Sequence, residues 1–468
     1  MVCGGGVRHR RSTRWKLDRA VMPEAREAVP AGAGSPLKFR TGPAEGTGMR
    51  RRLRRTVIAS ALIAGTLTVF SAQPAFAFTD VPASYWDQNA IQWVAATNTW
   101  MQDYGTQLFK PTIREARKYL ARTLVTIYAP NEPPDPKMKI KDLPSSDPFW
   151  PYANVAIKLG WMPRYKSGAF APDGAIRVAG FDKAVVLALG LSDSVRGLQR
   201  IHMVNGTRYT VPPNFPYLQL GRILQIHPNH STESMDIEST DLITRDEVAY
   251  SVWWATHRMS WQLTHAQQDY TDVELPNLDP SVPILALKQQ LTAYAFREVG
   301  YPYIWAGEWN KASPPGYCCG SQPKGGFDCS GFTWWVMKRY ESGYNAAQFR
   351  PYAGWSLPQR TSYTMAEYTT HPVPFNQLRV GDLMFFASNG GSRWQDVDHV
   401  ALYLGNGWEI GSTGSNDGVT LDRTDQGTWY YDTFVYGRRL FGTQPKSSLR
   451  SLQPYTVTEA SLLGGDRE

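Results

Sequence analysis

The chain has 468 residues, 42% of them apolar and 19% charged, and a net charge of +8, a length that accommodates two or three cores. Residues 1 to 77 hold 14 Lys and Arg against 4 Asp and Glu, a surplus of +10 that leaves −2 for everything after them. The basic balance therefore belongs to one terminal segment, and nucleic acid is excluded as an expected partner.

Within that segment, Met49 is followed by Arg50-Arg51-Arg52-Leu53-Arg54-Arg55, an apolar run from Thr56 to Phe70, and Ala75-Phe76-Ala77. These are the three parts of a secretory signal peptide over 49–77, with cleavage expected after Ala77. Residues 1–48 then read as a spurious extension ahead of a true start at Met49. The apolar run is shorter than the ~20 residues of a bilayer-spanning helix, so no stable membrane span is expected after cleavage; a retained anchor is the alternative.

From 78 to 270 the chain repeats a set of landmarks. Asp80-Val81, Tyr85-Trp86, Phe109-Lys110-Pro111 and Ile113-Arg114 are echoed by Asp142-Leu143, Phe149-Trp150, Phe170-Ala171-Pro172 and Ile176-Arg177. The shared order implies duplicated units. Trp86, Ala90, Ile91 and Val94 in one unit, and Ala153, Ala156 and Ile157 in the next, have helical spacing. Leu120, Leu124 and Ile127, then Val185, Val186 and Leu189, mark a second helix in each. A third unit carries a helix over Tyr217 to Ile226 and opens another at Ile243-Thr244-Arg245-Asp246-Glu247, where Thr244 and Glu247 suit a capping box. Ser192 to Phe215 stands outside this pattern, and Asn205-Gly206 between two β-prone runs predicts an inserted β-ribbon. His202, His227, His230, His257 and His265 have no metal-ligand spacing and read as surface or packed residues. Three prolines in 271–283 predict a stiff linker and a domain boundary.

Between 284 and 441 a helix from Ile284 to about Val299 precedes Tyr301-Pro302-Tyr303-Ile304-Trp305-Ala306-Gly307 and a Gly/Pro-rich loop that ends at Asp328-Cys329. A helix starting there puts Phe332, Trp335, Val336 and Tyr340 on one face and Cys329 in its first turn. Unpaired N–H groups and the positive end of the helix dipole favour a thiolate and an oxyanion there. His399 begins an alternating strand that Gly405-Asn406-Gly407 turns back into Trp408-Glu409-Ile410-Gly411. Cys318 and Cys319 are adjacent, so a bridge between them is strained; they form a redox-sensitive ring or two unrelated loop thiols. A zinc site from these three cysteines and His399 lacks any C-x-x-C pair. The 442–468 tail is polar and expected to be mobile.

The landmarks of 78–270 resemble surface-layer homology (SLH) repeats, with F-x-D, F-x-P and I-T-R-x-E elements. That resemblance implies three degenerate repeats that bind an anionic secondary wall polysaccharide through Arg114, Arg177 and Arg245; alternatively these arginines only pair with neighbouring acids. Tyr-x-Trp-x-Gly, Asp-Cys-Ser-Gly-Phe, Gly-Asp-Leu-x-Phe-Phe and His-Val-x-Leu-Tyr-Leu-Gly, in that order, resemble the NlpC-type cell-wall cysteine peptidases. The implied architecture is multidomain: mainly α-helical repeats, then an α+β papain-like domain with an antiparallel sheet. The implied reaction is cofactor-free hydrolysis of peptidoglycan stem peptides at the D-γ-glutamyl to diamino acid bond, and the implied location is the cell wall, outside the membrane. Cys329 is then the nucleophile and His399 the general base, with Asp328, Ser330 and Tyr303 lining the substrate pocket. The family's third polar residue falls on Gly411, which has no side chain. In a three-residue turn register Thr413 lies opposite His399 and could orient it, as could Ser412 in another register. An amidase or acyltransferase, or a wall-binding protein with a decayed site, is the alternative.

Overall fold

The computed structural model describes residues 78–227, 239–257, 260–310, 325–338, 357 and 359–441. The signal segment, His230, Cys318, Cys319, Tyr340 and the tail lie outside the described residues.

The first half is helical. Its elements are α1 (Gln88–Ile91, continued as a π-helical turn over Gln92–Thr97), α2 (Arg117–Tyr128), α3 (Trp150–Lys158), α4 (Val178–Ala188), α5 (Ser192–Leu198), β1 (His202–Met203), α6 (Phe215–Ile223), α7 (Arg245–His257) and α8 (Ser260–Gln268). The repeated Asp has the same task in two units. Asp80 accepts the backbone N–H groups of Phe109 and Lys110 at 2.9 and 2.7 Å, and Asp142 those of Phe170 and Ala171 at 2.7 and 2.7 Å. Each carboxylate thereby closes its own F-x-P loop, where Lys110 and Ala171 have φ of 59° and 54°. Asp142→Ala is expected to cost on the order of 1 kcal/mol, low for charge-assisted bonds because the carboxylate is exposed, and to leave turnover unchanged. Thermal melting and a rate assay on the same variant check both halves of that expectation.

The strands before the second helices meet in one place. Arg114 bridges to Thr244, Ala116 to Ala175 and Arg177 to Leu242. Only half of the expected capping box forms: Glu247 accepts the Thr244 N–H at 2.7 Å, while the Thr244 hydroxyl turns to Asp246.

The expected β-ribbon is partly a helix, because Ser192–Leu198 forms α5. The turn at Asn205-Gly206 does form, with Met203 N–H to Thr207 O at 2.8 Å and Gly206 at φ 83°. Its first strand also pairs in parallel with β2 (Glu274–Leu275), inside the segment expected to be a linker. That segment is packed, since Val273, Leu275 and Leu278 are all buried. Apolar residues outweigh its three prolines.

The second half contains α9 (Pro283–Ala295), β3 (Glu308–Trp309), β4 (Gly326–Phe327), α10 (Cys329–Lys338), α11 (Ser362–Glu367), β5 (Pro372–Val373), β6 (Leu383–Phe386), β7 (His399–Gly405), β8 (Trp408–Thr413), β9 (Gly418–Arg423), α12 (Trp429–Asp432) and β10 (Phe434–Arg438). Six strands form one antiparallel sheet in the order β5-β10-β6-β7-β8-β9. Asn406 and Gly407, at φ 50° and 76°, make a two-residue turn, and an irregularity between Tyr403 and Gly405 adds one residue. Turn plus bulge restore the count of a three-residue turn, so Leu402 pairs Ile410 and Tyr403 pairs Glu409 as expected.

The exposed edge of this sheet, β9, is covered by the first half. The Gln219 side chain on α6 exchanges two hydrogen bonds with the Leu421 backbone, at 2.7 and 2.9 Å, and the Tyr270 hydroxyl donates to the same carbonyl at 2.9 Å. Arg222, 2% exposed, donates to Gly300 O at 3.0 Å and to Asp417 O and Oδ2 at 2.6 and 2.9 Å. One hydrophobic core runs from Phe78 to Phe441 through both halves.

Candidate active site

Cys329 sits in the first turn of α10, a helix buried on every side by Phe332, Trp334, Trp335, Val336 and Met337. Asp328 caps it: its Oδ1 accepts the Gly331 N–H at 2.5 Å and the Ser330 hydroxyl at 3.1 Å, and its Oδ2 accepts the Ala306 N–H at 3.1 Å. The glycines of two sequence motifs meet beneath this turn. A Cβ on Gly331 would stand 1.9 Å from Gly307 O, the carbonyl that accepts the Asp328 N–H at 3.0 Å. Any side chain at 331 would push the nucleophile helix off the loop that positions it.

Arg360 was not legible as a site residue. It is 8% exposed, bonds Glu308 at 2.6 Å, Asp328 at 3.1 Å and Ser330 Oγ at 2.9 Å, and also donates to Gly307 O at 3.0 Å. Asp328 and Ser330 therefore spend their polar atoms on the helix start and Arg360. Besides any contact with substrate, they hold the nucleophile helix in place. The buried acids Glu308 and Asp328 require a cation, but their burial shows only in the structure.

The backbone N–H groups of Ser330 and of Val400, the residue after His399, lie near the Cys329 thiol and oppose the upward push of burial on it. Helix start and strand start thus lie side by side. Among the described residues no hydrogen bond joins Cys329 to His399, and catalytic pairs are often loose before substrate binds. The His399 ring is boxed by Phe386, Trp429 and Tyr430, with centroids at 5.5, 5.8 and 6.4 Å. Its Nε2 is sealed from solvent and has no hydrogen-bond partner among the described residues.

Neither expected third residue is hydrogen-bonded to that nitrogen among the described residues. Ser412 lies on the opposite side of β8 and donates to Phe327 O at 2.7 Å, tying the sheet to the strand that leads into Cys329. Thr413, opposite His399 when the β7–β8 register is continued, accepts from Ser415 Oγ and Asn416 N at 3.2 and 3.2 Å and so closes the turn into β9. Tyr303 is half-buried at the end of β8, its ring 3.9 Å from where a Gly414 side chain would begin.

Burial pushes the Cys329 thiol up to about 12, with the Asp328 carboxylate adding to it, and pulls His399 down to about 4. Both are neutral at pH 7, so the resting pair is thiol and imidazole and a base is available throughout the neutral range. Alkylation of Cys329 by iodoacetamide is expected to rise about tenfold per pH unit from 7 to 10, with no inflection near 6.5. A plateau in that range would show a preformed ion pair.

The arginines of the repeats divide. Arg245 is wholly buried; it bonds Asp103 at 2.8 Å, Glu115 at 2.9 Å, and the carbonyls of Phe109 and Met101 at 2.9 and 2.9 Å. This corrects its expected ligand role, since a guanidinium already saturated inside the core cannot meet a polymer. Arg117, which the sequence comparison passed over, repeats its geometry by donating to Phe170 O at 2.7 Å and Pro163 O at 2.9 Å. Both open their helices, whereas Arg114 precedes α2 by three positions and Arg177 sits just before α4. Arg114 and Arg177 are exposed and each donates to a third-unit carbonyl, Leu242 and Thr240 respectively.

Residues 300–438 match the NlpC/P60 family, and residues 139–177 match the S-layer homology domain. The chain carries an NlpC/P60 domain behind an SLH domain. Protein P54 of Enterococcus faecium is 29% identical to it over 145 residues, 31% of this chain and 21% of P54. The probable endopeptidase YafL of Escherichia coli is 30% identical over 145 residues, 31% of this chain and 46% of YafL. A γ-D-glutamyl-L-lysine dipeptidyl-peptidase of Bacillus cereus is 26% identical over 205 residues, 42% of this chain and 49% of that protein. The chain thus spans from about a fifth to about half the length of these relatives. NlpC/P60 is a peptidoglycan hydrolase family with endopeptidases among the relatives and some non-catalytic members, and SLH domains imply association with the cell surface. Among the described residues no helix is long and apolar enough to cross a membrane.

Proposed function

We propose that this protein is a secreted cysteine endopeptidase of peptidoglycan stem peptides, papain-like in its second half and held at the wall by three SLH repeats in its first. The observation that carries this reading is the buried Cys329 thiol at a helix start, near the strand start that bears His399, an imidazole that burial keeps neutral. In the reaction, the thiol proton passes to His399 as sulfur attacks the γ-glutamyl carbonyl, and helix-start N–H groups receive the developing oxyanion. The imidazolium then protonates the leaving amine of the diamino acid, and water resolves the thioester with His399 again as base. Tyr303 and Trp429 flank the place where the peptide lies. For the wall polysaccharide, the exposed Arg114 and Arg177 are the contacts, with Arg245 and Arg117 bracing the repeats beneath them.

Digestion of purified cell wall by the wild type and by Cys329→Ala tests this. New free amino termini on the diamino acid, absent with the variant, are the expected products. Release at the sugar-lactyl amide would assign an amidase instead, and no release from either protein a binding role.

A further inference from the structure

The gap at Gly411 is filled by another residue. A Cβ at 411 would meet Ala401 Cβ at 3.1 Å and Glu409 Oε2 at 3.2 Å. The Glu409 carboxyl therefore lies over Gly411, on the sheet face that carries His399, and takes up the space where a side chain at 411 would begin. Glu409 is fully buried, and neither of its oxygens accepts a hydrogen bond. Its neighbours are satisfied without it: Asp422, its partner across β8–β9, is held by Asn416, Thr420 and the Tyr430 hydroxyl at 2.9, 2.8 and 3.2 Å. That hydroxyl stands near both acids, 3.2 Å from the Asp422 carboxylate and beyond hydrogen-bond distance of Glu409. The same face thus holds two sealed, unpartnered groups, the Glu409 carboxyl and His399 Nε2, separated by a glycine and by the ring of Tyr430. Such groups are costly unless they are brought together.

We infer that Glu409 is the positioning residue of His399, reaching Nε2 across Gly411 by a change of rotamer or through one bridging water, and that Gly411 is glycine to let it pass. The Nε2–H then donates to a Glu409 oxygen and fixes the tautomer that leaves the other ring nitrogen free as base. Burial, with the Asp422 carboxylate adding to it, holds Glu409 well above the usual carboxylate range, and in either protonation state it offers an oxygen that can accept. It differs from Thr413 and Ser412 in that, among the described residues, no group lies within hydrogen-bond distance of its side-chain oxygens.

This inference rests on the proposed Cys329–His399 chemistry, and the test separates the two. Four proteins are assayed on a soluble stem peptide: Glu409→Met, which keeps the buried volume; Glu409→Gln, which keeps the carbonyl; Glu409→Ala; and Glu409→Ala with Gly411→Asn, which supplies an amide from the family's usual position. Expected are a kcat about a hundredfold lower for Met and Ala with KM within about twofold, a loss under about fivefold for Gln, and at least tenfold recovery in the double variant over Ala. Equal activity of the Met and Gln variants overturns the inference, as does a double variant no better than Ala; should Ala fail to fold, the Met and Gln comparison decides. Cys329→Ala runs beside them: if it keeps turnover, the chemistry assigned to this site is wrong, whatever Glu409 does.

Discussion

Cys329→Ala is expected to lower turnover of stem peptides by about four orders of magnitude or more while changing stability by no more than about 1 kcal/mol. The two halves of that expectation have separate grounds. The thiol is 7% exposed and is free of any disulfide, so its removal takes one small polarisable group from a packed helix start whose capping is done by Asp328. No other nucleophile stands beside the Val400 N–H among the described residues. Residual rate then comes only from binding and oxyanion stabilisation, as in enzymes that lack their nucleophile. Rate and melting temperature on one preparation check it, and a variant that lost both together would make Cys329 a structural residue.

The second large effect lies far from the sulfur. Arg222→Ala is expected to destabilise the protein by about 3–5 kcal/mol, because it leaves Asp417 buried without its cation and orphans the carbonyl of Gly300. Asp417 is already pushed up by burial, the arginine opposing that push. Gly300 begins the segment Tyr301-Pro302-Tyr303 that pairs with β9 through Val419 and Asp417, so loosening it also moves Tyr303. Melting of the full chain and KM for the stem peptide should both shift, with kcat changing least. Unchanged stability would mean that the helical half and the sheet are tied mainly by the apolar core and by Gln219.

This coupling explains why part of the molecule was legible in its sequence and part was not. Cys329 on a helix start, His399 on a strand start and the β7–β8 register follow from local rules, namely capping, alternation and an Asn-Gly turn. The paired roles of Asp80 and Asp142 follow from repetition. By contrast Arg222, Gln219 and Arg360 act on partners 30 to 202 positions away, and no local pattern marks a polar residue that the fold will bury. The alignment of Arg114 with Arg245 failed because the eye follows the Ile-Arg string, whereas the geometry follows the first residue of the helix, which is Arg117. The stretch 271–283 misled through its prolines, since Val273, Leu275 and Leu278 outweigh them once β1 is alongside. Glu409 escaped notice for a related reason: an acid in a strand reads as solvent-facing until the sheet is covered.

The central claim is that Cys329 and His399 act together on a stem peptide. A stem-peptide analogue with a chloromethyl ketone in place of the scissile amide tests it most directly, by intact mass and peptide mapping after brief exposure at pH 7. The account predicts one adduct, on Cys329, formed at least about a hundredfold more slowly in His399→Ala. Labelling of another residue, or labelling of Cys329 at the same rate without His399, would contradict it.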